Sequence, residues 1–130
     1  ALIKGSRHLV AYTGAGVSTA ADIPDYRGPK GVWTLKAQGK KPTMKISLTA
    51  AVPTYTHMAL ATLHEHGILK YVVSTNCDGL HRRSGIPADG LAEVHGNIFR
   101  EYCMNCGADF IRPFDTRPQS RQFIHARRIT

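Results

Sequence analysis

The chain has 130 residues, and a hydrophobic share of 42% is enough for one globular domain with its own core. Its 17 Lys and Arg against 9 Asp and Glu give a formal charge of +8. This charge favours two interpretations equally, binding to an acidic partner such as nucleic acid or simple solubility. Since the sequence contains neither a run of about 18 apolar residues nor a signal-peptide pattern, we expect no membrane span and no secretory signal.

The first predicted element is a buried strand at residues 9–12, which are all apolar or aromatic. In the turn that follows, Gly14 and Gly16 allow the backbone to bend tightly and to approach a ligand closely. The next helix would direct its first N–H groups at a pyrophosphate. Thr19 replaces the third glycine of the dinucleotide fingerprint, and Pro24 is expected to end the helix after two turns. The turn alone predicts either a phosphate cradle or an ordinary strand-to-helix connection.

The polar loop at residues 22–29 favours the nucleotide interpretation. Asp25, Tyr26 and Arg27 place a carboxylate, an aromatic ring and a guanidinium beside the glycine turn. Trp33 is either a packing anchor or a wall of the same site. Residues 36–43 mix charge, glycine and proline and predict a loop.

A helix is predicted over residues 54–66, because a threonine can cap its start and Gly67 can end it. Residues 68–74 then predict a second strand, and strand, turn, helix and strand in this order form a βαβ unit. Its ligand site is expected at the carboxyl ends of parallel strands. The helix is expected to bury Tyr55, Met58, Ala59, Leu60 and Leu63, and to carry His57, His64 and His66 on its surface or as caps.

Residues 75–78 follow the second strand and should face the same crevice as the glycine turn. Asn76 and Asp78 are two apart on an extended segment and so point to one side, where an amide and a carboxylate suit a carboxamide ligand. The alternative role of Asp78 is to cap a short helix at residues 79–84. Cys77 is expected to be a buried small hydrophobe and not a nucleophile.

Two further features lie between residues 91 and 106, before a C-terminal tail whose apolar residues show no periodicity typical of a core. A third strand is predicted at residues 91–94, and His95 at its end is either structural or a base that Gly96 makes accessible. Cys103 and Cys106 are in C-x-x-C spacing, which predicts metal or redox chemistry in a reducing compartment and resembles half of a zinc ribbon. His125 is the only other soft ligand nearby, and its surroundings do not recommend it.

Four motifs stand in a specific order: GAGVS at 14–18, IPDYRG at 23–28, NCDGLH at 76–81 and HG at 95–96. Together they resemble the sirtuins, the NAD-dependent protein lysine deacylases, and GPKGVWT at 28–34 is most similar to the nuclear class IV. The resemblance implies an α/β fold, with a partial Rossmann-like NAD-binding domain and parallel sheet at 1–100 and an incomplete zinc-ribbon module with a tail at 101–130. Because a sirtuin core is much longer, we expect an N-terminal fragment that is inactive alone and holds an incomplete Zn²⁺ site.

The same resemblance implies roles for individual residues. His95 would be the catalytic base, Asn76 and Asp78 would line the nicotinamide pocket, and Cys103 and Cys106 would bind zinc. Thr75 stands where sirtuins usually have Gln, so a hydrogen bond to the ribose is expected to be lost or to run through water. The NAD-binding residues implied in this way are Gly14, Ala15, Gly16, Ser18, Thr19, Ile23, Asp25, Tyr26, Arg27, Trp33, Thr75, Asn76, Asp78 and His95.

Three functions follow as hypotheses. The first is a deacylase of histones or other nuclear proteins, located in the nucleus or nucleolus, which releases nicotinamide and O-acyl-ADP-ribose. The second is an NAD- or ADP-ribose-binding chromatin scaffold, or a mono-ADP-ribosyltransferase with weak deacylase activity. The third is a basic module that binds nucleic acid or nucleosomes, for which salt-sensitive DNA affinity would be the sign.

Overall fold

The structure is a computed structural model that describes residues 2–42 and 46–117. The predictions for His125 and for the chain after residue 117 lie outside the described residues. None of the helices within these two ranges is long and apolar enough to cross a membrane. The helices and strands are α1 (Leu2–Gly5), β1 (Leu9–Thr13), a 3-10 helix (Ala15–Ala21), α2 (Val32–Ala37), α3 (Tyr55–Glu65), β2 (Leu69–Ser74), α4 (Leu80–Arg83), a second 3-10 helix (Ala88–Gly90), β3 (Leu91–Glu93), β4 (Arg100–Tyr102) and β5 (Asp109–Ile111).

The first three strands form the predicted parallel sheet, in the order β1-β2-β3. Thr13 lies opposite Ser74, and Ser74 lies opposite Glu93, so the carboxyl ends of all three strands meet at one edge. The prediction that β1 is buried is wrong, since its residue Tyr12 is 81% exposed. The reason is that Leu9 and Ala11 pack against the core beside α3, whereas Tyr12 projects from the opposite face of the sheet.

Two small cores hold the elements together. One lies between the sheet and α3 and contains Leu69, Val72, Ile86 and Leu91, with Leu60 and Leu63 packed against it. The other lies beneath the glycine turn and contains Ala21, Ala51 and Leu80. Each fully buried Leu, Ile or Val side chain contributes about 1.5–3 kcal/mol relative to an exposed one.

Helix α3 has the predicted bounds, with Thr54 as its N-cap and Gly67 in the left-handed conformation (φ 66°) after its end. Its buried face was predicted less well, because Tyr55 is 90% exposed and Met58 is 48% exposed. His57 is a second correction, since its side chain is buried completely. It does belong to the helix cap, however, because His57 is the N3 residue of the capping box and its Nδ1 lies 2.7 Å from Thr54 Oγ1.

Residues 100–112 form local structure that the absence of core periodicity after Gly107 did not predict. Strands β4 and β5 pair in an antiparallel hairpin, with Glu101 opposite Phe110 and a 2.7 Å ion pair between Glu101 and Arg112. Thr116 then donates from Oγ1 to the Ile98 carbonyl at 2.9 Å. Local strand pairing, which needs no long apolar run, therefore forms this hairpin, and the Thr116 bond connects the segment after it to Ile98.

Candidate functional site

The glycine turn connects β1 to the first 3-10 helix. A Cβ on Gly16 would meet nothing within 4 Å, whereas one on Gly14 would lie 3.4 Å from Thr75 Oγ1. The helix is of the 3-10 type and ends when Asp22 adopts a left-handed conformation (φ 59°), two residues before Pro24. The prediction that Pro24 ends this helix is therefore wrong, although the shortened helix does leave room for the polar loop.

Ser18 joins Asn76 to Asp78 in the centre of the site. The fully buried Ser18 hydroxyl donates to Asp78 Oδ2 at 2.6 Å and accepts from Asn76 Nδ2 at 3.1 Å. The same Asn76 Nδ2 lies 3.1 Å from the Gly14 carbonyl. The predicted placement of Asn76 and Asp78 on one side is confirmed, and the connecting role of Ser18 is what sequence reasoning missed.

Asp78 also has the alternative role that the sequence suggested. Its Oδ1 accepts the Leu80 backbone N–H at 3.0 Å, at the start of α4. Gly79 before this helix has a φ of 70°, which only glycine adopts at low cost. Both carboxylate oxygens are thus fixed by donors, and the lone pairs that remain can accept from a ligand.

These residues line a cleft of about 190 Å³ at the carboxyl ends of the strands. Seven residues predicted to bind a cofactor lie on its wall: Ala15, Ser18, Ile23, Tyr26, Thr75, Asn76 and Asp78. Residues that sequence reasoning did not assign complete the wall: Pro24, Val32, Leu48, Cys77, Ile98 and Arg117. The apolar members give a flat aromatic ligand a surface to contact, and the polar members can fix its orientation.

Arg117 is a basic residue on this wall whose place no sequence motif predicts. It donates from Nη2 to Asp115 Oδ2 at 2.6 Å, and this ion pair lowers the pKa of the Asp115 carboxyl. Forty residues separate it from Cys77 on the same wall. Ile98 connects the two segments, because its N–H donates to the Cys77 carbonyl at 3.0 Å and its carbonyl accepts the Thr116 N–H at 2.7 Å.

Seven predicted residues are not on the wall of this cleft: Gly14 and Gly16 in the turn, His95, and Thr19, Asp25, Arg27 and Trp33. Trp33 is half exposed, with its ring 5.5 Å from Tyr26 and the Arg27 guanidinium 5.2 Å from its centroid. Asp25 Oδ1 accepts the Gly28 N–H at 3.0 Å, and Thr19 Oγ1 donates to the Gly16 carbonyl at 2.9 Å. In the structure these contacts stabilise the polar loop and the turn.

His95 lies at the rim, beyond the end of β3. Its Nδ1 is 2.9 Å from the Thr75 carbonyl. Since a carbonyl only accepts, Nδ1 carries the proton and Nε2 has the free lone pair that a base requires. Gly96 follows with a φ of 81°. The neighbouring Cys77 donates from Sγ to the His95 carbonyl at 3.3 Å. It is only partly buried, so the prediction that it is a buried hydrophobe is wrong, but this burial raises the pKa of the thiol and so disfavours the nucleophilic thiolate.

Cys103 and Cys106 lie in the turn between β4 and β5. Gly107 after them is left-handed (φ 72°), and its N–H donates to the Cys103 carbonyl at 2.8 Å. Backbone donors from Cys106 and Asn105 lower the pKa of the Cys103 thiol, which fits the thiolate that a metal needs. Residues 2–42 and 46–117 contain no group of three or more His, Cys, Asp or Glu side chains placed to hold a metal ion. Two thiols fit part of a zinc site, and zinc stays a prediction.

A parallel sheet with a polar cleft at the carboxyl ends of its strands defines the class of Rossmann-like nucleotide-binding proteins. The profile of the Sir2 family matches residues 38–126, and the chain therefore belongs to the Sir2 family. This confirms the resemblance that the four motifs carried.

Relatives of the chain agree with this assignment. It is 54% identical over 88% of its length to the NAD-dependent protein deacetylase SRT1 of Arabidopsis thaliana, and 49% identical over 95% of its length to the NAD-dependent protein deacetylase sirtuin-7 of Rattus norvegicus. It spans 24% of the first relative and 31% of the second. The chain therefore corresponds to between a quarter and a third of these curated relatives.

Solved structures of the family have the same fold. A Sir2 structure with p53 peptide and NAD+ has a TM-score of 0.61 and 31% identity over 85% of this chain and 49% of that one. A mutant Sir2 homologue in complex with ADP-ribose has a TM-score of 0.71 and 26% identity over 98% of this chain and 58% of that one. Both confirm the predicted Rossmann-like α/β fold.

Proposed function

We propose that this chain forms the nicotinamide side of an NAD-dependent protein lysine deacylase. The observation that carries the proposal is the Asn76–Ser18–Asp78 hydrogen-bond network on the wall of the cleft, with His95 at the rim. The names of the relatives, which are NAD-dependent protein deacetylases, support it.

The chemistry assigned to the residues follows from their donors and acceptors. NAD, when bound, supplies a ribose carbon that takes up the acyl oxygen as nicotinamide leaves. Asp78 accepts from the carboxamide NH₂ group, and Ser18 fixes the carboxylate in the position to do so. His95 takes the proton of a ribose hydroxyl at Nε2, because its Nδ1–H is held by the Thr75 carbonyl.

The test compares His95→Tyr with His66→Tyr in the full-length protein. His66 is also exposed, and it lies at the end of α3, away from the cleft wall. We expect His95→Tyr to abolish NAD-dependent nicotinamide release from an acyl-lysine peptide while NAD still binds in calorimetry, and His66→Tyr to retain both. Turnover that persists in His95→Tyr would reject the role of His95, and wild-type protein that releases no nicotinamide would reject the function.

We propose a second candidate because of Thr75. Its hydroxyl lies 3.4 Å from the Thr13 carbonyl, and it is too short to replace the Gln that sirtuins usually have. A protein that binds NAD or ADP-ribose with slow turnover would follow from this substitution. NAD binding without measurable nicotinamide release would favour the second candidate, and release at an ordinary enzymatic rate would favour the first.

The finer parts of the assignment are proposals too. We propose that the substrates are histones or other nuclear proteins, that the protein acts in the nucleus or nucleolus, and that Cys103 and Cys106 give two of the four ligands of a structural zinc ion. The formal charge of +8 supports a chromatin or nucleic-acid surface as partner. Salt-dependent binding to nucleosomes, imaging of the tagged protein and zinc analysis of the full-length protein test these three points.

A further inference from the structure

Two buried histidines lie beneath the glycine turn, and the proposed chemistry uses neither. His57 on α3 is 0% exposed and His81 on α4 is 2% exposed. Their ring centroids are 4.6 Å apart, with the planes inclined by 57°. Two elements that follow different strands of the sheet therefore meet through these rings.

His81 is hydrogen-bonded directly to one end of the glycine turn, and His57 is connected to the other end through Thr54. His81 Nε2 is 2.8 Å from the hydroxyl of Thr13, the residue before Gly14. His57 Nδ1 is 2.7 Å from the hydroxyl of Thr54, which in turn donates to the Val17 carbonyl at 2.8 Å. These hydrogen bonds and the contact between the two rings together form a connection that leaves the turn at residue 13 and returns to it at residue 17. We call this connection, Thr13–His81–His57–Thr54–Val17, the histidine bridge.

The bridge is unfavourable for stability in one respect. Among the described residues, His57 Nε2 and His81 Nδ1 have no hydrogen-bond partner although both atoms are buried. A buried polar atom without a partner is costly and uncommon in folded proteins. An apolar side chain would fill either position without that cost, so packing alone does not account for two imidazoles here.

The residues at the ends of the bridge are directly connected to the cleft. The Thr13 carbonyl accepts the Thr75 N–H at 3.1 Å, and the Gly14 carbonyl accepts from Asn76 Nδ2 at 3.1 Å. At the other end, Val17 is followed by Ser18, which bonds to both Asn76 and Asp78. Hydrogen bonds therefore connect both ends of the bridge to the backbone and side chains that line the cleft.

We propose that His57 and His81 are positioning residues, which hold the glycine turn in the shape that receives NAD. This inference rests on the proposed function, since it assumes that the cleft binds NAD. Neither ring is on the cleft wall, so the effect passes through Thr13 and Thr54. Loss of one ring-to-threonine bond is expected to raise the KM for NAD on the order of tenfold, with a smaller change in kcat, because misplaced binding groups weaken binding before they alter the chemistry.

The two rings use different nitrogens, and this allows a crossed test with amide side chains. The terminal amide of Asn lies as far from Cα as Nδ1 of His, and that of Gln lies as far as Nε2. His57→Asn and His81→Gln can therefore keep their bonds to Thr54 and Thr13, whereas His57→Gln and His81→Asn cannot. All four changes replace a ring by an amide, so an unspecific loss of packing would affect the matched and mismatched variants alike.

The experiment measures NAD affinity by calorimetry, steady-state KM and kcat, and the melting temperature, all in the full-length protein. We expect the two mismatched variants to lose NAD affinity on the order of tenfold and the two matched variants to stay within about threefold of wild type. His66→Gln on the exposed end of α3 is the control and should change nothing. Should a mismatched variant not fold, Thr13→Val and Thr13→Ser give the same comparison, since only Ser keeps the hydroxyl.

Each result has one interpretation. Weaker NAD binding in the mismatched variants alone supports the positioning role. Equal NAD affinity in matched and mismatched variants overturns it, and a pattern seen in the melting temperature but not in NAD affinity reduces the bridge to a structural element. Wild-type protein that does not bind NAD rejects the proposed function itself, which separates that failure from a failure of the bridge.

Discussion

Acid should destabilise this protein through His81 before it reaches the carboxylates. Burial, reinforced by the neighbouring His57, lowers the pKa of His81 from 6.5 to about 4, against the opposing influence of Asp78. The unfolded chain therefore takes up a proton as the pH falls through 6.5, while the folded chain stays neutral at this ring until about pH 4. The free energy of unfolding consequently decreases as the pH falls through this window.

The size of the effect follows from the pKa shift. One unit corresponds to 1.36 kcal/mol, so the His81 contribution present above pH 6.5 decreases by about 3 kcal/mol by pH 4. That is a large share of the 5–15 kcal/mol that stabilises a typical domain. Burial also lowers the pKa of His57, which adds to the loss, whereas the raised pKa of the Glu93 carboxyl acts in the opposite direction.

The test compares wild type with His81→Gln in the full-length protein. Urea unfolding of both proteins is followed by circular dichroism at several pH values between 7 and 4, and the difference between them is the contribution of this one group. The variant keeps an amide near the position of Nε2 but cannot titrate. We expect its unfolding free energy to vary with pH by about 2–3 kcal/mol less than that of wild type. Parallel pH profiles for the two proteins would refute the reasoning, because the titrating group would then lie elsewhere.

Four other changes test the cleft, the backbone that supports it and the thiols of the hairpin. Ser18→Ala removes the hydroxyl that bonds to Asn76 and Asp78. The change should lower the free energy of unfolding in urea by about 1–3 kcal/mol and also weaken NAD binding, and unchanged NAD affinity would contradict the role of the network. Gly16→Ala should leave the melting temperature unchanged or raise it, because the added Cβ would meet nothing within 4 Å. The same change should weaken NAD binding in calorimetry, and a stable variant with full NAD affinity would place the cofactor elsewhere. Gly79→Ala should lower the free energy of unfolding by about 1–2 kcal/mol, because φ at this position is 70° and the added Cβ would lie 3.0 Å from the Phe99 ring. A melting temperature equal to that of wild type would refute this expectation. Cys103→Ser should reduce the zinc content of the full-length protein in elemental analysis, and unchanged zinc would exclude this thiol as a ligand.

Local signals predicted much of the fold, because they depend on residues close together in the chain. The threonine cap and Gly67 defined α3, and a β-branched run defined β2. The position of Asn76 and Asp78 after β2 was enough to predict that they face one crevice with the glycine turn. Features that depend on partners distant in sequence were predicted poorly, such as the exposure of Tyr12 and Tyr55 and the complete burial of His57.

The sequence by itself determined the family, the order of the elements and the edge of the sheet at which the site forms, because motif order and hydrophobic periodicity are properties of the chain. Only the tertiary structure decided which side chains act together in the glycine turn and around it. Ser18 meets Asp78 across 60 residues, and Thr13 meets His81 across 68. A hydrogen bond requires its donor and acceptor to lie about 3 Å apart, and that distance is set by packing and not by position in the chain.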